Sequence, residues 1–117
     1  PDRKVYAITD AGCEFLRAAL KKTETAHKTR SEFLATICFA HLMQPEDVEA
    51  VLDHRLREIA AFKAMVEGFE CGCVAEWPAG GRFVLGIGKA VTEAMETYIK
   101  ANRHMLTAQS TEKAANG

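Results

Sequence analysis

Apolar residues in the middle of the chain recur with a period that only a helix can use. From Pro45 to Phe69, the positions Val48, Leu52, Ile59, Phe62, Val66 and Phe69 follow a 4-3 spacing interrupted only by Arg55. That period lays one continuous stripe along an α-helix. Pro45 suits the first turn, where its missing N–H costs nothing, and Glu46 and Asp47 set negative charge against the positive helix end. Gly68 weakens the far end. At about 1.5 Å per residue the element is roughly 37 Å long, more than a small domain needs for its own core. An amphipathic helix of that length predicts a partner, either another long helix or another copy of the chain.

On either side the pattern changes. Arg3 to Ile8 alternates as a short strand would, and Thr9 follows as an N-cap for a helix running to about Lys22, with Phe15, Leu16, Ala19 and Leu20 on its apolar side. A lone strand needs a ladder partner, expected upstream or in another molecule. Thr23 to Arg30 reads as a connector. Thr29 and Glu32 have capping-box spacing and open a second helix. In it Leu34, Ile37, Cys38, His41 and Leu42 share a face, until the Met43-Gln44-Pro45 junction ends it. Glu70 to Gly81 reads as a loop. From Arg82 to Leu106 a last helix carries Phe83, Ile87, Val91, Ala94, Tyr98 and Met105 on one face, widened by Val84, Met95, Ile99 and Leu106. The tail from Thr107 is expected to fray.

The expected fold is therefore mainly α: two long antiparallel helices, preceded by one short strand and a linking helix. The faces expected to meet a second copy carry Val48, Leu52, Ile59, Phe62 and Val66 on the first long helix and Phe83, Ile87, Val91 and Tyr98 on the last.

Composition narrows the function. The 117 residues, 48% hydrophobic, suit one ordinary domain. Fifteen basic against sixteen acidic residues leave a net charge of −1, so no global field draws the chain to nucleic acid or membrane. No apolar run approaches the ~20 residues of a membrane span. Four cysteines without framework spacing fit reduced thiols, and the expected location is the cytoplasm. The chain opens without a methionine and in mid-pattern, as a fragment or a processed product would.

Lys4, Tyr6, Ile8, Thr9 and Gly12 in KVYAITDAG match the [KR]-x-Y-x-[LI]-T-x-x-G signature of PadR-type winged-helix transcriptional regulators. Downstream, SEFLATICFAHLMQPEDVEAVLDHRLREI and RFVLGIGKAVTEAMETYI resemble the helical C-terminal domain of that family's virulence-activator-alpha subgroup. The resemblance implies a wing remnant over 1–8, a linking helix and connector over 9–29, a helical effector and dimerisation domain over 30–109 and a disordered tail over 110–117. It also implies a homodimer, DNA contact through an upstream helix-turn-helix, and in some members a small aromatic effector. Arg3 and Lys4 would fall just past the wing tip, where they could meet phosphates or simply be solvated. Cys13 departs from the pattern, which commonly has a basic residue there.

Chemistry candidates are few. Cys38 and His41 have i, i+3 spacing, and Cys71 and Cys73 share a loop, enough to consider a zinc or thiol sensor. The competing reading makes Cys38 a buried small hydrophobe, His41 a hydrogen-bonded core or interface histidine and the loop thiols ordinary. Trp77, the single tryptophan, is a pocket-wall candidate or a plug for the end of the two long helices. Gly86 and Gly88 inside a helical pattern point to close helix approach. No nucleophile elbow, H-E-x-x-H or phosphate-binding glycine loop is present, so neither an enzyme nor a bound cofactor is expected. A stand-alone small-molecule-binding helical module is the other open class.

Overall fold

The structure, a computed structural model, describes residues 4–107. The chain divides into two compact units, Pro1–Arg30 and Ser31–Gly117. The architecture is mainly helical, with four α-helices and no strand among the described residues.

In the first unit, α1 (Asp10–Ala19) begins at the predicted cap. Extended backbone at Thr9 lets its Oγ1 accept the Gly12 N–H at 3.0 Å. The helix stops short of Lys22 because no residue in it is buried, and an isolated helix of this length is marginal. The strand expected over Arg3 to Ile8 is not formed: residues 4–9 have no regular structure, and no ladder partner exists among the described residues. Val5, Tyr6 and Ile8 are exposed. Arg3, and the tail expected over 110–117, lie outside the described residues.

The second unit opens with α2 (Glu32–Cys38). Ser31 rather than Thr29 is the N-cap, its Oγ accepting the Leu34 N–H at 3.2 Å. The α-helix ends at Cys38, and a 3-10 turn, Ala40–Leu42, replaces the continuation expected up to Met43. A 3-10 turn advances about 120° per residue instead of 100°, so the part of the predicted face that follows Cys38 is rotated away. Ala40 turns inward, while Cys38, His41 and Leu42 are exposed, with the His41 ring beside Phe39. The expected burial of Cys38 and His41 is thus overturned.

Next come α3 (Pro45–Cys71) and α4 (Ala79–Asn102), linked by residues that include a 3-10 turn, Val74–Glu76. The expected loop is shorter than Glu70 to Gly81 at both ends. Gly80 and Gly81 sit in the first turn of α4, where Trp77 packs so near that a Cβ on Gly81 would lie 3.5 Å from its ring. Residues 104–107 add a further helical turn.

The stripe predicted on α3 exists and faces inward. Val48, Leu52 and Ile59 form the core with Ala40 and Ile99, flanked by Phe33, Ile37, Met43, Leu56, Met95 and Leu106, and Val66 is buried further along. Each such side chain contributes about 1.5–3 kcal/mol by leaving water. Val48, Leu52, Ile59 and Val66 are therefore corrected as dimer-interface candidates, since their own unit already covers them. Phe62 is half-buried, and its ring tip lies 3.0 Å from where a Cβ on Gly88 would sit. Gly88 marks a close approach of α3 and α4; Gly86 does not, because nothing lies within 4 Å of its Cβ position.

Arg55, the break in the stripe, is also accounted for. Its guanidinium lies 5.8 Å from the centre of the Phe33 ring, its Nε is 3.4 Å from the Met95 sulfur, and it pairs with Glu58 at 3.8 Å. The aliphatic stem continues the apolar edge while the charged head reaches the surface.

Two stability experiments follow. Ile59→Asp buries an unpaired carboxylate and is expected to cost roughly 4 kcal/mol or more, seen as loss of the cooperative urea transition. Gly86→Ala is expected to raise stability by up to about 1 kcal/mol through helix propensity, whereas Gly88→Ala gains less or loses, because its methyl group meets Phe62.

Candidate functional site

Helix α4 presents three distinct faces. Leu85, Gly88, Thr92, Met95, Ile99 and Leu106 are buried or half-buried and turn toward the core. A second face, carrying Lys89, Glu96 and Arg103 at seven-residue intervals, makes the ion pairs with α3. The third is Val84, Ile87, Val91, Ala94, Tyr98, Ala101 and Met105, an unbroken 3-4 repeat offset from the core repeat by one residue, hence by about 100°. Its large members Val84, Ile87, Val91, Tyr98 and Met105 are each more than half exposed, and Phe83 beside them is 71% exposed. No charged residue interrupts this stripe. Scattered apolar residues on a surface are ordinary, whereas here they form a continuous row along most of a 24-residue helix.

Near the C-terminal end of α4 the stripe borders an apolar groove between α2, α3 and α4. Its volume is about 240 Å³, and Phe33, Ile37, Met95, Ile99 and Leu106 line it, with Leu34, Tyr98 and Met105 at its rim. Such a space exceeds the ~150 Å³ apolar cavity that accommodates benzene. A smaller space of about 180 Å³ lies further along the α3–α4 seam, among Phe62, Val66, Lys63, Glu70 and Lys89.

The charged seam flanks the buried repeat of α4 on the side facing α3. Lys89 Nζ donates to Glu70 Oε1 at 2.6 Å, Lys63 pairs with Glu96 at 3.0 Å, and Lys100 reaches the same carboxylate at 3.3 Å. Arg103 donates to Glu49 and, at 2.9 Å, to Asp53. Hydrogen bonds from Lys63 and Lys100 hold the Glu96 carboxyl below its ordinary range, while the bond to Glu70 raises Lys89 and those to Asp53 and Glu49 raise Arg103.

The other sequence candidates do not converge. Lys4 is exposed in the first unit. Trp77 packs on Phe69 at 5.5 Å between ring centres and lines neither of these spaces. Cys38 and His41 precede α3 whereas Cys71 and Cys73 follow or end it, about 40 Å of helix apart. These four side chains therefore cannot share one metal, and no group of three possible ligands is assembled among the described residues. Also among the described residues, no helix is long and apolar enough to cross a membrane. Ile87, Val91 and Tyr98 lie in the exposed stripe, and Phe83 is exposed beside it. The spacing merged the two repeats of α4 into one wide face, and Arg103 carried no signal in it. The signal that separates the stripes is the one-residue offset between the outer 3-4 repeat and the inner one that runs from Leu85 to Ile99.

Comparison with protein families, with curated proteins and with solved structures returns no match in any of the three.

Because the Glu96 pairs favour the charged carboxylate, they stabilise fully above the ordinary carboxyl value of 4.5 and are lost as pH falls through the lowered one. Glu96→Gln is therefore expected to flatten the acid side of the stability–pH curve, as measured by urea unfolding across pH.

Proposed function

We propose that this chain is the dimerisation and effector domain of a PadR-like DNA-binding transcriptional regulator. The exposed 3-4 stripe of α4 carries the reading, because an uncharged apolar row from Val84 to Met105, five of its side chains large, needs a matching surface. The order of the ion pairs supports an antiparallel arrangement of the two long helices: their α3 members descend from Glu70 through Lys63 to Asp53 and Glu49, as the α4 members ascend from Lys89 through Glu96 to Arg103. The KVYAITDAG signature supports the winged-helix connection. In this mechanism, pairing through α4 sets the separation of two DNA-binding modules, and half-site spacing follows from it. An effector favouring one arrangement shifts operator affinity by its difference in affinity for the two states.

The groove beside Ile37, Met95 and Leu106 favours an uncharged, partly aromatic effector over an ionic one. Its lining is almost wholly apolar, and the Arg103 guanidinium at its edge is already engaged by two carboxylates.

Sedimentation equilibrium tests the pairing. The unaltered chain is expected to dimerise and Val91→Asp to give a folded monomer with unchanged helical circular dichroism. A Val91→Asp chain that stays dimeric would contradict the assignment. A coding sequence without a helix-turn-helix of about 70 residues ahead of Lys4 would remove the transcriptional reading.

A further inference from the structure

Two thiols that neither the core nor the ion-pair seam employs stand where α3 ends. Cys71 is its last residue, Gly72 its C-cap and Cys73 the N-cap of the 3-10 turn that follows, and both cysteines are exposed. We propose that Cys71 and Cys73 form a two-thiol chelating site for a trivalent organoarsenical, an uncharged arsine oxide or arsonous acid carrying one carbon substituent. The break at Gly72 makes a shared ligand feasible. In a continued helix, residues two apart point about 200° from one another and cannot meet on one atom. The backbone at Gly72, with φ −111° and ψ −103°, leaves the helical region and releases the pair from that register. Two trans peptide units keep the Cα atoms within about 7.6 Å whatever the turn. An atom inserted between the sulfurs relaxes the narrower Cα spacing that a direct S–S bond demands.

Ligand count and charge select the occupant. No group of three possible metal ligands is assembled among the described residues, so the pair stands as two donors, short of the four that a structural zinc takes. Arsenic(III) with one carbon substituent keeps two exchangeable valences, which two soft sulfur donors fill. Between Lys63 and Arg82 the chain carries Glu67, Glu70 and Glu76 and no basic residue, and of these only Glu70 has an ion-pair partner among the described residues, Lys89. The C-terminal end of α3 adds the negative pole of its dipole. These surroundings repel anionic glutathione disulfide and disfavour an anionic bis-thiolate complex of a monovalent metal ion, whereas an uncharged reagent and an uncharged product meet no such penalty. In the capture step two As–S bonds form as the arsenic–oxygen bonds break, the two thiol protons leave with the oxygen as water, and arsenic stays trivalent. The single residue between the cysteines gives the second thiol a high effective concentration once the first has reacted. Trp77, the single tryptophan, lies four residues beyond Cys73 and packs on Phe69 at 5.5 Å, so its emission reports on this turn.

Phenylarsine oxide is the probe. In a chain carrying Cys13→Ser and Cys38→Ser, one equivalent is expected to remove both remaining thiols from titration with a disulfide dye and to add the mass of one reagent less one water. Trp77 fluorescence is expected to change while the helical circular dichroism holds. Excess glutathione, a monothiol, is expected to leave the adduct in place, and a small vicinal dithiol to strip it. Adding Cys71→Ser or Cys73→Ser, both at exposed positions, is expected to weaken capture by about 100-fold or more. Equal capture by these single-thiol chains, or two reagents bound per chain, would overturn chelation. Conversion to an internal disulfide by glutathione disulfide, faster than capture of an equal concentration of phenylarsine oxide, would overturn it in favour of a redox couple. Each outcome is read on the thiols alone and leaves the pairing of α4 to its own test.

Discussion

Burial of one edge of α3 is the constraint under which the rest of the second unit forms. Val48, Leu52, Ile59 and Val66 are almost wholly removed from water, and α2, the 3-10 turn at Ala40–Leu42 and α4 are arranged around them. A helix this long offers its apolar edge to more neighbours than a compact domain usually supplies. It is sealed by a short element at its N-terminal half and by α4 along its length. The Arg55 position shows how completely: where the repeat calls for an apolar residue, an arginine stem fills the row and its head group rests over Phe33.

Once α3 is covered, the rotation of α4 becomes the decisive quantity. This helix has two apolar 3-4 repeats and can bury only one against α3. Gly88 allows close approach at Phe62, and the ion pairs at Lys89, Glu96 and Arg103 occupy the flank beside the buried repeat. Exposed ion pairs add little stability individually, but set at seven-residue intervals they select one rotation over another. The repeat containing Ile87, Val91 and Tyr98 is left in water as a consequence, and the proposed pairing function depends on that outcome.

The first unit contrasts with this. Thr9 caps α1 as its hydroxyl and spacing dictate, yet no residue of the helix is buried and the residues ahead of it form no ladder. Local chemistry suffices to start an element there. It does not suffice to make a strand, whose hydrogen bonds must all be made by something else.

Much of the architecture was legible in the residues. Periodicity located both long helices, Thr9 and Pro45 marked two helix starts to the residue, and the core of α3 was named almost entirely. What periodicity could not provide was direction. It identifies a face as apolar without saying what covers it, so residues predicted to meet a second copy proved to be the chain's own interior, while the outer row of α4 was folded into a single broad face. It was equally blind to the switch from α to 3-10 winding after Cys38, which a tertiary contact at Ala40 favours and which leaves His41 at the surface. Sequence alone determined which segments are helical and which edges are greasy, because those follow from local propensity and spacing. Only the tertiary structure decided which greasy edge is inside, because that depends on the rotation of one helix against another, set by a glycine contact and a row of ion pairs between residues far apart in the chain.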